Sequence, residues 1–250
     1  MIHDMRRGAK LFSIVSGERS GAGAALTRLG LRGLSAIYYA AFRRRTGKLS
    51  RIEKTRVSAP VISVGNITLG GTGKTPICLY LATHYAARGL RVGIATRGYG
   101  REGGGTVILK EAGNARSWHV CGDEPMLFLN DPSVYAVAVD ADRSRAAGVL
   151  AGPEGCDVVI LDDGFQFITL ERDVDIAVLD AGNPFGHDAL FPAGLLREPV
   201  AALARADVIW IAKAETVSDD ALAGIRERLT REFPGKPVIE SRHEPSGVVA

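Results

Sequence analysis

An apolar run that breaks into glycines and ends Gly-Lys-Thr constrains this chain most: Val61-Ile62-Ser63-Val64-Gly65-Asn66-Ile67-Thr68-Leu69-Gly70-Gly71-Thr72-Gly73-Lys74-Thr75. It reads as a buried strand, a glycine-rich turn and the start of a helix. Backbone N–H groups in such a turn converge on one point, where the helix also aims the positive end of its dipole. Glycines let the backbone wrap an anion with no Cβ in the way. Thr68, Leu69, Gly70, Gly71, Thr72, Gly73, Lys74 and Thr75 are therefore expected to hold the phosphates of a nucleoside triphosphate. Lys74 would reach the outer phosphates, and the Thr75 hydroxyl suits Mg²⁺. One departure is visible: the phosphate-loop pattern places a glycine where this chain has Thr68.

Further along, Val/Ile-rich runs alternate with helical patterns. Strands are expected at Val61–Val64, Arg91–Thr96, Thr106–Leu109, Val134–Val139, Asp157–Leu161, Asp175–Leu179 and Val208–Ala212. Helices are expected at Pro76–Arg88, Glu124–Asn130, Asp142–Leu150 and Ala221–Glu232. Continuous apolar strands spaced by helices imply an α/β fold of the P-loop NTPase type, with a mainly parallel sheet covered on both faces. Ligands in such sheets sit beyond the carboxyl ends of the strands.

Several polar motifs fall there. Val158–Leu161 runs into Asp162-Asp163-Gly164, an apolar strand ending in paired carboxylates that can hold Mg²⁺ opposite Thr75. Gly122-Asp123-Glu124-Pro125 offers either an N-terminal helix cap or a carboxylate to accept an alcohol's proton, and the residues alone leave both open. Arg97, Arg101 and Arg143 at strand ends can each meet an anion or water. The histidines, including His243, show no metal spacing.

Charge is distributed unevenly. The net charge is only +3, which makes no case for nucleic acid, yet before Pro60 thirteen Arg and Lys face only Asp4, Glu18 and Glu53. Such a segment expects a polyanionic neighbour, either an acidic membrane surface or a phosphorylated ligand. Within it, Leu26–Phe42 carries an apolar face, a Tyr38-Tyr39 pair and then Arg43-Arg44-Arg45. This fits a helix lying in the plane of a membrane, or equally an amphipathic helix covering the sheet. The domain boundary is drawn between a basic helical region at 1–57 and the α/β unit at 58–250. Three scattered cysteines form no metal pattern and suit a reducing compartment.

Taken in order, Val64–Pro76 (VGNITLGGTGKTP), Thr96–Arg101 (TRGYGR), Gly122–Pro125 (GDEP), Asp162–Gln166 (DDGFQ), Arg172–Ala181 (RDVDIAVLDA) and Leu190–Pro199 (LFPAGLLREP) closely resemble the bacterial tetraacyldisaccharide 4'-kinases of lipid A synthesis. The resemblance spans about Leu34 to Lys213, and the family accepts Thr at position 68. It implies transfer of the ATP γ-phosphate to the 4'-hydroxyl of a tetraacylated glucosamine disaccharide 1-phosphate. The work would be done at the anionic cytoplasmic face of the bacterial inner membrane, by a peripheral or monotopic protein. By the same resemblance Lys74, Asp123, Asp163 and Glu198 are catalytic, Thr75 and Asp162 hold Mg²⁺, and Glu124, Arg97 and Arg197 meet the substrate. Two departures are expected to matter. Phe167 stands where the family has His, and the chain carries neither the DH-type nor the TEKD motif of a further family segment. Nucleotide binding without transfer, as in a regulatory ATPase or an inactive truncated kinase, is the alternative.

Overall fold

The computed structural model describes residues 13–15, 20–98, 104–110, 121–122 and 124–244. A first helix, α1, spans Ala22–Leu49. Eight strands follow: β1 Val61–Gly65, β2 Val92–Thr96, β3 Val107–Leu109, β4 Ala136–Val139, β5 Val158–Asp162, β6 Val174–Asp180, β7 Val208–Ala212 and β8 Val238–Glu240. Helices α2 Lys74–Ala86, α3 Glu124–Leu129, α4 Arg143–Ala151 and α5 Asp219–Glu232 connect them.

The strands form one sheet in the order β3-β4-β2-β5-β1-β6-β7-β8. Every pairing is parallel except β3 with β4. This is the fold the alternation of apolar runs implies. Successive side chains on a strand point to opposite faces. Ile62 and Val64 of β1 therefore join Ile94, Ile160 and Val178 beneath α2 and α3. Val61, Val159 and Leu161 pack with Ala146, Ala147 and Leu150 of α4, while Ile209 and Ile211 meet Leu222, Ile225 and Leu229 of α5. The central strands are buried on both faces, which is why they read as unbroken apolar runs. The caps are local: Asp142 accepts from the Ser144 N–H at 2.9 Å, and Ser218 accepts from the Ala221 N–H at 3.3 Å.

Strand and helix ends differ from expectation by a few residues, and two differences have physical content. Helix α2 begins at Lys74 rather than Pro76. Proline in a first turn loses no intrahelical bond, because N–H groups there have no partner in the helix. Strand β8 went unanticipated: three residues after Pro234-Gly235-Lys236-Pro237 carry too little pattern to read.

Because the strands are parallel, Gly65, Thr96, Asp162, Asp180 and Ala212 all end on one side of the sheet. The register sets Val64 beside Asp162 and Asp180 beside Ala212. Gly65 makes the closest of these approaches possible. A Cβ there would lie 2.4 Å from the Phe165 backbone nitrogen, so only glycine lets the end of β1 press against the turn after β5.

Helix α1 does not cover the sheet. Its Ser35 hydroxyl donates to the Leu190 carbonyl at 2.8 Å and accepts from the Ala193 N–H at 3.0 Å. The Tyr38 hydroxyl donates to the Arg197 carbonyl at 2.8 Å, and its ring meets Phe191 edge-on. Away from these contacts α1 presents Leu26, Leu29, Leu34 and Ile37 to solvent, Leu26 at 72% and Ile37 at 68% exposure. No helix among the described residues is long and apolar enough to cross a membrane.

Candidate active site

Beyond the carboxyl ends of the central strands lies a cavity of about 800 Å³, lined by Gly70–Pro76, Thr96, Arg97, Glu124, Asp162, Asp163, Arg197, Lys213, Glu215 and His243. Its floor is the turn between β1 and α2. Gly70 and Gly73 have φ of 106° and 85°, a left-handed backbone that residues with a side chain rarely adopt. These two glycines turn the chain so that α2 starts at the cavity floor with its N-terminus unblocked by a capping side chain.

The Lys74 ammonium lies at the centre. It donates to Asn66 Oδ1 at 3.3 Å and stands 3.4 Å from Asp163 Oδ1. Asn66 is in turn oriented through its amide nitrogen, which donates to the Thr68 carbonyl at 2.8 Å. Asp163, at φ 51°, is gripped from the other side by Arg197 Nη1 at 2.9 Å. Burial works to raise the Asp163 pKa, but the charges of Lys74 and Arg197 outweigh it and hold this carboxyl below its usual range.

Its neighbour behaves in the opposite way. Asp162 is buried at the end of β5, accepting from the Thr96 hydroxyl at 3.0 Å. Burial first, and the nearby charge of Glu124 second, push its pKa up to about 6. Two adjacent carboxylates thus diverge: one is a committed anion paired to cations, the other carries an uncompensated charge that a divalent cation would relieve. No cluster of three His, Cys, Asp or Glu among the described residues makes a metal site unaided. The donor set of Thr75 and Asp162 therefore fits a hydrated ion shared with phosphate oxygens.

A second cavity, of about 360 Å³, opens between α1 and the strand ends. Tyr38, Phe42, Leu49, Leu69, Phe167 and Ile168 give it apolar walls, and Arg45, Arg143 and Arg205 add positive charge. Arg97, Asp163 and Arg197 line both cavities. Arg143 is 6% exposed, and its Nε has no partner among the described residues.

The residues anticipated from sequence are sorted by this geometry. Gly70, Gly71, Thr72, Gly73, Lys74 and Thr75 line the first cavity with Arg97, Glu124, Asp162, Asp163 and Arg197. Thr68 and Leu69 do not. Thr68 is buried in a bridge with Leu196, and the Leu69 N–H donates to the Leu195 carbonyl at 2.7 Å, leaving its side chain in the second cavity. Asp123 lies outside the described residues. Glu198 is 2% exposed and lines the second cavity with both oxygens engaged: Arg205 donates to each at 2.6 and 2.7 Å, and Gln166 Nε2 to Oε1 at 2.9 Å. Arg205 also stacks over the Phe165 ring at 3.8 Å. Phe167 lies beneath the Arg143 guanidinium at 5.7 Å.

Lys213, Glu215, His243, Thr96, Asn66, Gln166 and Arg205 were not anticipated. Thr96, Lys213 and Glu215 follow directly from strand ends, and that position was the one signal for them. Arg205 had none: Glu198 is only seven residues away, but the short turn that joins them carries no periodicity from which their pairing could be read.

The family model for tetraacyldisaccharide-1-P 4'-kinase matches residues 27–249. The chain is 40% identical over 195 residues to a tetraacyldisaccharide 4'-kinase of Anaeromyxobacter sp. strain K, covering 78% of this chain and 51% of that protein. It is 35% identical to the Pseudomonas entomophila enzyme of the same name, covering 87% and 67%. Among solved structures it is similar to LpxK from Aquifex aeolicus in complex with ATP, with a TM-score of 0.70 and 36% identity over 86% of this chain and 64% of that one. The chain spans about half the length of the first curated relatives it matches. With a matching model across most of its length and a phosphate loop, paired carboxylates and basic second cavity in register, the chain belongs to the tetraacyldisaccharide-1-P 4'-kinase family.

Proposed function

We propose that this chain is the nucleotide-binding part of a lipid kinase, moving the γ-phosphate of ATP to the 4'-hydroxyl of an acylated glucosamine disaccharide 1-phosphate. The observation that carries this reading is the meeting of two cavities at Arg97, Asp163 and Arg197. A triphosphate on the Gly70–Thr75 turn would place its end at that junction. A sugar in the second cavity would reach it from the α1 side.

In the transfer, an oxygen lone pair of the acceptor hydroxyl forms a bond to phosphorus while the bond to the bridging oxygen breaks. ADP leaves with that electron pair. The hydroxyl proton passes to a carboxylate, a role assigned here to Asp123 next to Glu124. Lys74 and Arg197 offset charge on the transferring group, and Asp163 keeps both cations pointed at the junction. Mg²⁺ held by Thr75 and Asp162 would neutralise the phosphate tail when bound. Glu198 acts on this reading as a positioning residue: its oxygens are occupied, and with Gln166 it braces Arg197 and Asn66. Arg143, buried and incompletely paired, suits an anionic substituent of the acceptor.

Helix α1 would lie in the plane of an anionic inner-membrane surface on its cytoplasmic side. Leu26, Leu29, Leu34 and Ile37 would enter the acyl boundary, and Arg43, Arg44 and Arg45 would meet headgroup phosphates. The Ser35–Tyr38 side stays docked to the 190–197 segment, so acyl chains could pass from lipid to the second cavity along α1.

The test is phosphate transfer from Mg²⁺-ATP to purified acylated disaccharide 1-phosphate, read beside bare ATP hydrolysis. Transfer that Asp123→Ala slows by roughly 10²-fold or more supports the reading. Nucleotide binding with no transfer by this chain, alone or joined to the remainder of a relative's length, sinks it.

A further inference from the structure

The turn that carries Asp163 is held from beneath by a charged pair that no step of the transfer uses. Asp163 stands at φ 51°, a left-handed backbone that an aspartate keeps only where its neighbours impose it. Those neighbours surround Gly164. Its N–H donates to the Val64 carbonyl at 3.1 Å, and its carbonyl accepts from the Phe167 N–H at 2.8 Å. A Cβ on Gly164 would lie 2.6 Å from Ser63 Oγ, so the turn is pressed directly onto β1.

The Gly164 carbonyl has a second donor. Arg172 Nη1 donates to it at 3.3 Å, and the same nitrogen lies 3.1 Å from Asp175 Oδ2. Both side chains are withdrawn from water, at 8% and 6% exposure. Asp175 is fixed in its turn. It lies beside Ser63 in the β1–β6 register, its N–H donates to Asp207 Oδ2 at 2.8 Å, and its carbonyl accepts from the Asp207 N–H at 2.8 Å. Burial drives the Asp175 pKa up and the Arg172 pKa down, so both charges are kept at a cost. Apolar side chains of similar volume commonly match or exceed the stability of such a buried pair. Stability therefore gives no reason for charge here, whereas the bond to Gly164 does. The next carbonyl, of Phe165, accepts from Arg205 Nη2 at 2.9 Å, so arginines grip two successive carbonyls of this turn.

We infer that Arg172, anchored by Asp175, is a positioning residue that fixes Gly164 and thereby keeps Asp163 aimed at Lys74 and Arg197. The inference rests on the phosphate loop holding a nucleoside triphosphate. Asp163 stands 3.4 Å from the Lys74 ammonium and 2.9 Å from Arg197 Nη1, the two cations assigned to the outer phosphate. A slack turn lets Asp163 relax toward an ordinary backbone, and both cations then drift. The grip on the outermost phosphate weakens, while the inner phosphates, held by the backbone of the loop, keep theirs.

Calorimetric titration with Mg²⁺-ATP and Mg²⁺-ADP, read beside urea unfolding and phosphate transfer, tests this. Arg172→Met/Asp175→Val removes both charges together and should unfold at no lower urea concentration than the natural chain. It should bind ATP about tenfold more weakly, as one misplaced charge-assisted hydrogen bond implies, and ADP within about threefold of the natural chain. Transfer at saturating ATP should slow about tenfold as well. Arg172→Lys keeps a cation for Asp175 on a shorter side chain that gives up Gly164. It should show the same selective loss, and it decides the matter should the double variant not fold. A folded variant that keeps its ATP affinity, or that loses ATP and ADP equally, overturns the positioning role. If the natural chain transfers no phosphate, the kinase reading falls while the ATP–ADP comparison still decides this inference. If the natural chain binds neither nucleotide, the phosphate-loop reading falls and this inference falls with it.

Discussion

The two flanks of the phosphate loop handle charge in opposite ways. On the β5 side, Asp162, Asp163 and Lys74 are largely withdrawn from solvent, and Asp162 is pushed up to about 6. On the β7–β8 side, Glu215, His243, Arg226 and Glu240 form pairs open to water. Low dielectric amplifies interactions on the first flank, and solvent damps them on the second. Strained, buried charge belongs where bonds change, whereas exposed, paired charge suits recognition of a ligand's outer parts.

That contrast can be broken or sharpened by experiment, beginning with the largest effect. Lys74→Ala should cost about 10³-fold in phosphate transfer, since it removes the central cation from a site of limited solvent access. A loss below tenfold would erase the distinction between the flanks. Next, Arg205→Ala leaves the Glu198 carboxylate buried with two of its three hydrogen bonds gone. About 3 kcal/mol of stability should be lost, checked by urea unfolding, because an uncompensated buried charge is costly.

Asp162 supplies a pH signature. Its folded pKa of about 6 exceeds the ordinary 3.8, so the native state binds the extra proton between those values. Stability contributed by this group is present below about pH 4 and is lost as pH rises through about 6. Mg²⁺ affinity runs the other way, since metal competes with that proton. Mg²⁺-dependent nucleotide affinity should fall about tenfold per pH unit below 6, and Asp162→Asn should abolish the slope. A slope that persists in Asp162→Asn would remove Asp162 as the titrating ligand.

Two smaller effects complete the series. Tyr38→Phe deletes the hydroxyl that anchors α1 to the Arg197 carbonyl and should cost about 1 kcal/mol in thermal or urea unfolding. Arg226→Ala, on the open flank, breaks the 2.6 Å pair with Glu240 and should change stability by no more than about 0.5 kcal/mol. A larger loss there would contradict the solvent-damped picture of that side.

Much of the fold was legible because its signals are local. Each of β1, β2, β4, β5, β6 and β7 is an apolar run buried on both faces, and burial on both faces leaves no polar alternation to confuse the reading. Strand β8 escaped because its three residues are partly exposed and lie at the sheet's edge. In the site, the Gly70–Thr75 turn and Asp162-Asp163 could be read directly, since phosphate loops and strand-end carboxylates are contiguous. Thr68 and Leu69 belonged to the same contiguous motif, yet the loop spends their backbone on the 195–196 segment instead of the cavity.

By itself the sequence determined a parallel sheet, an anion-binding turn and a basic helix with one apolar side, because each is written in neighbouring residues as period, glycine content or charge. Only the tertiary structure decided that α1 docks on the 190–197 segment, that Glu198 is locked by Arg205, and that Lys213, Glu215 and His243 meet at the far end of the cavity. The first and last of these contacts are brought together by strand order and long-range packing that no local stretch of sequence encodes, while the Glu198–Arg205 pair is local in sequence and is set by the folded turn between β6 and β7.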